Sequence, residues 1–253
     1  MNLSLTKEMQ TVIRTIIYAV YFGTLVLFSQ LVFLLPYYLM KWLGLRRAAG
    51  AFIRLTARWM GWLVMKGTGA RVTVKGRENL PRQTEGLCFV SNHQGIFDIP
   101  LVVGYIPVLM GFIAKIELKK IPFLNTWLWA LGCILLNRKS PRSAIIAIRD
   151  GVERIKGGQS LCIFPEGTRS RSNRMGHFKP GSLKLAFRSH AVIVPLTIKN
   201  SYKVFEERGR IRPADVFLYI HPPLKTEGLS DQDQKELSEF IRAAIEEPLA
   251  QQE

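Results

Sequence analysis

Cysteine is scarce in this chain. Only Cys88, Cys133 and Cys162 occur, none at a metal-ligand spacing, and each lies in a short apolar run. That pattern excludes a disulfide scaffold and a zinc module, and it fits core positions of a reduced, cytosol-facing protein. No G-x-S-x-G serine is present, so a hydrolase-type serine nucleophile is not expected. No nucleic-acid-binding motif, internal repeat, low-complexity segment or second-domain linker is visible. Acidic residues are the scarcer sign: 19 Asp and Glu stand against 35 Lys and Arg, a net charge of +16. So much positive charge calls for an anionic partner, and a membrane surface or a phosphorylated substrate meets that need.

Charge is missing altogether from Thr15 to Met40, with Arg14 and Lys41 on either side. Those 26 residues exceed the roughly 20 that cross a bilayer as a helix. The run is too long for a cleaved signal peptide, and no small-residue cleavage site follows it. Pro36 and the Tyr37-Tyr38 pair leave two options: the segment spans, or it enters one leaflet and turns back. In Arg47–Lys66, the residues Phe52, Leu55, Trp59, Trp62 and Leu63 fall on one helical arc, and Arg47, Arg54 and Arg58 are assigned to the opposite one. This predicts an interfacial amphipathic helix, with a core helix of the soluble domain as the alternative. From Lys41 to Arg82 there are ten basic residues and one acidic residue, Glu78, which marks that side as cytoplasmic.

From Arg71 onward the pattern is α/β. Strands are expected at Val72–Val74, Leu87–Val90, Gly111–Ala114, Cys133–Leu136, Leu161–Phe164, Val192–Ile198 and Val216–Ile220. A helix should begin at Pro141 behind a Ser140 cap and end at Gly157, with Ile145, Ile148, Val152 and Ile155 as its apolar face. Another should run from Asp231 to Glu247. Ser230 and Asp233 form its capping box, and Leu237, Phe240, Ile241, Ala244 and Ile245 form its stripe.

Chemistry concentrates in V-S-N-H-Q-G-I-F-D-I-P, Val90 to Pro100. His93 and Asp98 stand five residues apart. In a helix that spacing turns the chain about 500°, so the side chains miss by about 140°. In a strand they point to opposite faces. They meet only if the chain turns between them, which Gly95 permits. A strand ending near Ser91, a turn carrying His93 and a helix starting at Asp98 are therefore expected, with Asp98 also suited to cap that helix. A neutral imidazole held by a carboxylate is a competent general base near neutral pH.

A second loop, F-P-E-G-T-R-S-R, follows the strand at Leu161–Phe164. Glu166, Gly167, Thr168 and Arg169 offer a carboxylate, an unhindered amide, a hydroxyl and a guanidinium that can fork onto a phosphate. Phe178–Ser182 reads as the start of a helix whose free amides could face an anion. Lys115 and Arg138 stand at two further strand ends, in a stretch to Arg210 with 19 basic and 6 acidic residues.

Four blocks in this order resemble the glycerophospholipid acyltransferase family, most closely its bacterial 1-acyl-glycerol-3-phosphate acyltransferases. They are N-H-Q-G-I-F-D, with the H-x-x-x-x-D signature, A-K-I-E-L-K-K-I-P-F-L-N, F-P-E-G-T-R-S-R and V-I-V-P-L-T-I. The match runs from about Val72 to Leu224. Asn125 stands where the second block commonly has glycine, and Asn137 where aspartate is common before Arg138.

The resemblance implies a glycerophosphate-acyltransferase-like mixed sheet of about seven strands flanked by helices. An N-terminal two-helix membrane motif at 1–66 would precede the acyltransferase domain at 67–253. It implies acyl transfer from acyl-CoA or acyl carrier protein, as co-substrate, to the sn-2 hydroxyl of lysophosphatidic acid, with no metal or resident cofactor. His93 would be the base and Asp98 its partner. Arg169 would grip the acceptor phosphate in a site shaped by Glu166, Gly167 and Thr168, and Lys115 and Arg138 would supply further substrate contacts. The bilayer would be a partner and nucleic acid would not. The setting would be a bacterial inner membrane, with the catalytic domain on the cytoplasmic side. Two other readings stand beside it: a different acceptor, such as glycerol-3-phosphate or another lysophospholipid, and a non-catalytic membrane lipid-binding protein.

Overall fold

The computed structural model describes residues 2–251, with side chains from residue 8 onward. Helix α1 (Asn2–Ser29) continues through one wider π-type turn, Gln30–Leu34, into α2 (Leu35–Trp42). Leu35 N–H bonds five residues back, to Gln30 C=O. Pro36 explains the widening: it has no N–H to give, and its ring would crowd the carbonyl four residues earlier. The proline thus loosens the helix without breaking it. Glu8–Trp42 is long and apolar enough to cross a membrane by length and composition. The chain reverses only at Leu43–Leu45, where Gly44 has φ 77°.

Helix α3 (Arg46–Thr68) then runs back along α1. Tyr18 and Tyr21 donate their hydroxyls to the carbonyls of Val64 and Leu63. The face of α3 that packs inward is Ala49, Ile53, Ala57, Met60, Gly61 and Val64. Leu55, Trp59 and Trp62 are exposed, as are Arg47, Arg54 and Arg58. The arginines therefore flank the aromatic arc instead of opposing it, because the far side belongs to the protein core. The helix is interfacial in pattern on one side and a core helix on the other. The expected division at 66/67 falls in its last turn.

Seven strands follow: β1 (Arg71–Lys75), β2 (Cys88–Ser91), β3 (Met110–Lys115), β4 (Ile134–Leu136), β5 (Ser160–Ile163), β6 (Ile193–Lys199) and β7 (Asp215–Ile220). They form one sheet in the order β1-β7-β6-β2-β5-β3-β4, parallel throughout except between β6 and β7. All seven match the expected runs within a residue or two. The central ones are buried on both faces, which is why they read as unbroken apolar stretches. Phe89 joins the core beneath α1 and α3, together with α4 (Asp98–Tyr105) and α5 (Leu124–Ala130). Its neighbours Cys88 and Val90 point the other way, toward α6 (Pro141–Lys156), α7 (Lys184–Ser189) and α8 (Asp231–Ala250). All three cysteines are buried and unpaired, and burial pushes the Cys88 thiol up to about 12.

Both expected caps are present: Ser143 N–H donates to the Ser140 hydroxyl, and Ser230 and Asp233 form a reciprocal box. Three expectations need correction. Ile145 is 68% exposed, because α6 packs through its small residues. A Cβ at Gly151 would lie 2.0 Å from a Leu185 methyl, so this face is built for close approach. Phe240 is likewise 58% exposed, and α8 buries Ile241, Ile245, Pro248 and Leu249. Finally, Phe178–Ser182 forms a turn, and α7 begins only at Lys184.

Candidate active site

Three adjacent parallel strands, β6, β2 and β5, end on the same edge of the sheet. Their following loops bring together Asn200-Ser201, His93 and the Glu166–Arg169 segment. This is where the strand-end rule of open α/β sheets puts ligand chemistry.

His93 follows β2, and the turn that carries it is organised by Asp98, the first residue of α4. Asp98 is fully buried. Its Oδ2 accepts from His93 Nδ1–H at 2.6 Å, from Gln94 N–H at 2.6 Å and from Gly95 N–H at 2.9 Å. Its Oδ1 accepts from the Ser201 hydroxyl at 2.5 Å. The carboxylate therefore folds back over the turn instead of capping α4, which has no side-chain cap. Because an ionised carboxylate only accepts, the proton sits on Nδ1, and Nε2 of His93 carries a free lone pair. The imidazole stacks on Phe164 at 4.2 Å between centroids, and Phe164 stacks on Phe112 at 6.2 Å. Ring, tautomer and direction are fixed together.

Gly95 does not adopt a left-handed conformation. Its lack of a side chain serves a close approach: a Cβ there would lie 2.5 Å from Glu206 Oε2.

The loop after β5 is laced onto the same turn. Ser170 N–H donates to His93 C=O at 2.7 Å, and Arg171 N–H donates to Gln94 C=O at 3.2 Å. Glu166 is buried, and backbone amides take both of its oxygens: His93 N–H at 2.7 Å and Gly176 N–H at 2.7 Å. Burial nevertheless holds its carboxyl above the usual range, against the pull of those amides. Glu166 is thus a brace between loops. Gly167 turns at φ 66°, and a Cβ there would run into the Lys179 side chain. Thr168 is exposed, and its hydroxyl makes no hydrogen bond among the described residues. Arg169 lies on the rim and reaches Glu206 Oε1 through Nη1 at 3.2 Å.

Lys115 and Arg138 stand apart from this cluster. Lys115 ends β3, two strands from β2, and meets Glu117 at 3.4 Å. Arg138 follows the edge strand β4 and is exposed. Among the described residues, no group of three or more His, Cys, Asp or Glu could hold a metal ion.

Two side chains of the site had no signal in the sequence reading. Ser201 and Glu206 lie 103 and 110 positions from their partners in the turn. The one available hint was scarcity, since Glu206 is one of six acids in a strongly basic stretch.

Comparison with known proteins places the chain and its fold. The acyltransferase family model matches residues 71–199, from β1 to the end of β6. A 1-acyl-sn-glycerol-3-phosphate acyltransferase of Borreliella burgdorferi is 32% identical over 178 residues, covering 70% of this chain and 71% of that one. A chloroplast 1-acyl-sn-glycerol-3-phosphate acyltransferase of Brassica napus is also 32% identical, over 68% of this chain, which spans about half (51%) of that longer protein. The crystal structure of the 1-acyl-sn-glycerophosphate acyltransferase from Thermotoga maritima superposes with a TM-score of 0.79 at 29% identity, covering 96% of this chain and 99% of that one. The family model across residues 71–199 and these relatives together show that this chain belongs to the acyltransferase family.

Proposed function

We propose that this chain transfers a fatty acyl group from a thioester to the free sn-2 hydroxyl of lysophosphatidic acid, giving phosphatidic acid. The observation that carries the reading is the His93–Asp98 pair, with Nε2 free, at the end of β2 and beside the Arg169 loop. The acceptor brings its own hydroxyl, so no nucleophile from the chain is needed. As the hydroxyl oxygen attacks the thioester carbon, His93 Nε2 takes its proton. Asp98 stabilises the imidazolium. The tetrahedral intermediate then expels the thiolate, which takes the same proton back from Nε2 and leaves as free thiol. A thioester is already activated, so we assign no metal or resident cofactor to this chemistry.

Arg169 grips the acceptor phosphate, with Gly167 and Thr168 on the same loop and Glu166 bracing it. Lys115 and Arg138 contribute positive potential farther along the edge, toward phosphates of donor or acceptor. Residues 1–66 serve as the membrane anchor of a 67–253 acyltransferase domain that faces the cytoplasm of a bacterial cell. The long apolar helix, the exposed Trp59 and Trp62 and the neighbouring arginines support this. Acceptor and product are both bilayer amphiphiles, which gives the anchor its use.

Purified protein in vesicles should acylate lysophosphatidic acid, and a panel of acyl-CoA and acyl carrier protein donors will identify the thioester. Faster acylation of glycerol-3-phosphate or of a neutral-headgroup lysophospholipid would replace the acceptor assignment. No transfer to any acceptor would leave a lipid-binding protein.

A further inference from the structure

Glu206 is an acid almost out of reach of solvent: its side chain is 5% exposed. Oε1 accepts from Ile96 N–H at 2.6 Å and from Arg169 Nη1–H at 3.2 Å. Oε2 is buried without a hydrogen-bond partner, over the bare Cα of Gly95. Burial raises its carboxyl above the usual range and the nearby Asp98 adds to this, while the Ile96 amide and Arg169 oppose it. A carboxylate held this way costs desolvation energy, which a purely structural position could avoid with an apolar side chain.

What the carboxylate joins accounts for it. Ile96 lies inside the His93–Asp98 turn, and Arg169 lies on the loop after β5. One oxygen binds both. Arg169 is engaged at a single nitrogen, and its side chain is still 37% exposed. Its remaining N–H groups are free to take a phosphate in two-point fashion.

We infer that Glu206 is a positioning residue that clamps the Arg169 guanidinium to the His93–Asp98 turn, so that the acceptor phosphate is held at a set place relative to the base. The inference rests on the proposed role of Arg169 toward that phosphate. The opposite role is a carboxylate that occupies the phosphate's place and must be displaced. The single-nitrogen contact argues against it, because it leaves the guanidinium fork open.

The two roles predict opposite kinetics in the full-length protein assayed in vesicles. Glu206→Gln keeps the side-chain volume and removes the charge. If Glu206 is the clamp, this variant should raise the KM for lysophosphatidic acid roughly tenfold, about the loss of one charge-assisted hydrogen bond. Donor KM should stay near normal, and Glu206→Ala should raise acceptor KM further. In an Arg169→Ala background, neither change at Glu206 should add to the KM defect, because the clamp has nothing left to hold. A fall in acceptor KM in Glu206→Gln, an unchanged value, or independent multiplying effects in the double variant would each overturn the clamp. Failure of the underlying reading shows elsewhere, in Arg169→Ala alone: an unchanged acceptor KM there removes the phosphate contact, and the clamp with it. Thermal melts of Glu206→Gln separate these kinetic outcomes from loss of fold.

Discussion

At the scale of single residues, the dyad makes the sharpest predictions. His93→Ala should cost about 10²–10⁴-fold in kcat, the usual worth of a general base, with the fold retained and the melting temperature lowered by the loss of a partner for buried Asp98. Near-normal turnover in a folded His93→Ala protein would remove the mechanism. Asp98→Asn is more instructive, because two backbone amides and Nδ1–H converge on Oδ2. They select the amide orientation with oxygen at that position, which preserves the tautomer. The NH₂ then faces Ser201, whose hydroxyl can turn to Gln94 Oε1, already 3.3 Å away. The variant should fold and keep its geometry, yet lose at least about tenfold in kcat, because a neutral amide stabilises the imidazolium less than a carboxylate does. Much of this was legible in the sequence, since His93 and Asp98, five residues apart, could meet only across a turn; that Gly95 makes room for Glu206 was not. The partners from after β6 were not, because Ser201 and Glu206 reach the turn only once the strands are ordered in the sheet. Local spacing carries no trace of a contact 103 positions away.

At the scale of elements, helix contacts turn on small residues. Where α3 crosses α4, a Cβ at Gly61 would lie 2.6 Å from Gly104 N, and one at Gly104 would lie 2.6 Å from Trp62 N. The two backbones touch. Gly104→Ala should therefore destabilise the protein by about 1–3 kcal/mol, the usual cost of overpacking, visible in a denaturant melt. Activity should fall with it, since α4 begins at Asp98. Small residues also explain where the sequence was misread. A hydrophobic scan of α6 weights Ile145 and is blind to Gly151, although the glycine is what lets Leu185 approach. The central strands β2, β5 and β6 carried no such ambiguity, because runs buried on both faces leave no periodicity to misassign.

A pH-dependent contact belongs to the same scale. Thr197 Oγ donates to Ile245 C=O at 2.8 Å, so His221 Nε2–H must be the donor in its 2.8 Å contact with Thr197. Burial depresses the His221 pKa, and Glu247 opposes this weakly. The unfolded chain therefore binds the extra proton first. His221 should cost stability progressively as pH falls through about 6.5 toward its lower folded value. Melts of His221→Gln between pH 7 and 5 should show a shallower decline than the parent protein.

For the whole molecule, charge and apolar surface divide the labour. Replacing Arg47, Arg54 and Arg58 with Gln should weaken binding to anionic vesicles and make the remaining binding less sensitive to salt. Unchanged binding would mean that these exposed arginines face water. The long apolar helix Glu8–Trp42 was legible from the uncharged run. That α3 is also a core helix stood only as the alternative, because its inward face is Ala, Gly and Thr as much as Ile and Val. Within one turn α3 carries Trp59 and Trp62 outward and Gly61 inward against α4, whose first residue holds the base. No yielding layer of side chains separates these contacts. In the proposed orientation a single helix therefore joins the surface that would meet the bilayer to the helix that begins with Asp98. If that joint transmits bilayer depth to the base, acceptor KM should change with the thickness of the vesicle lipid while donor KM does not; an unchanged acceptor KM across lipids of different chain length would separate the two ends of the helix.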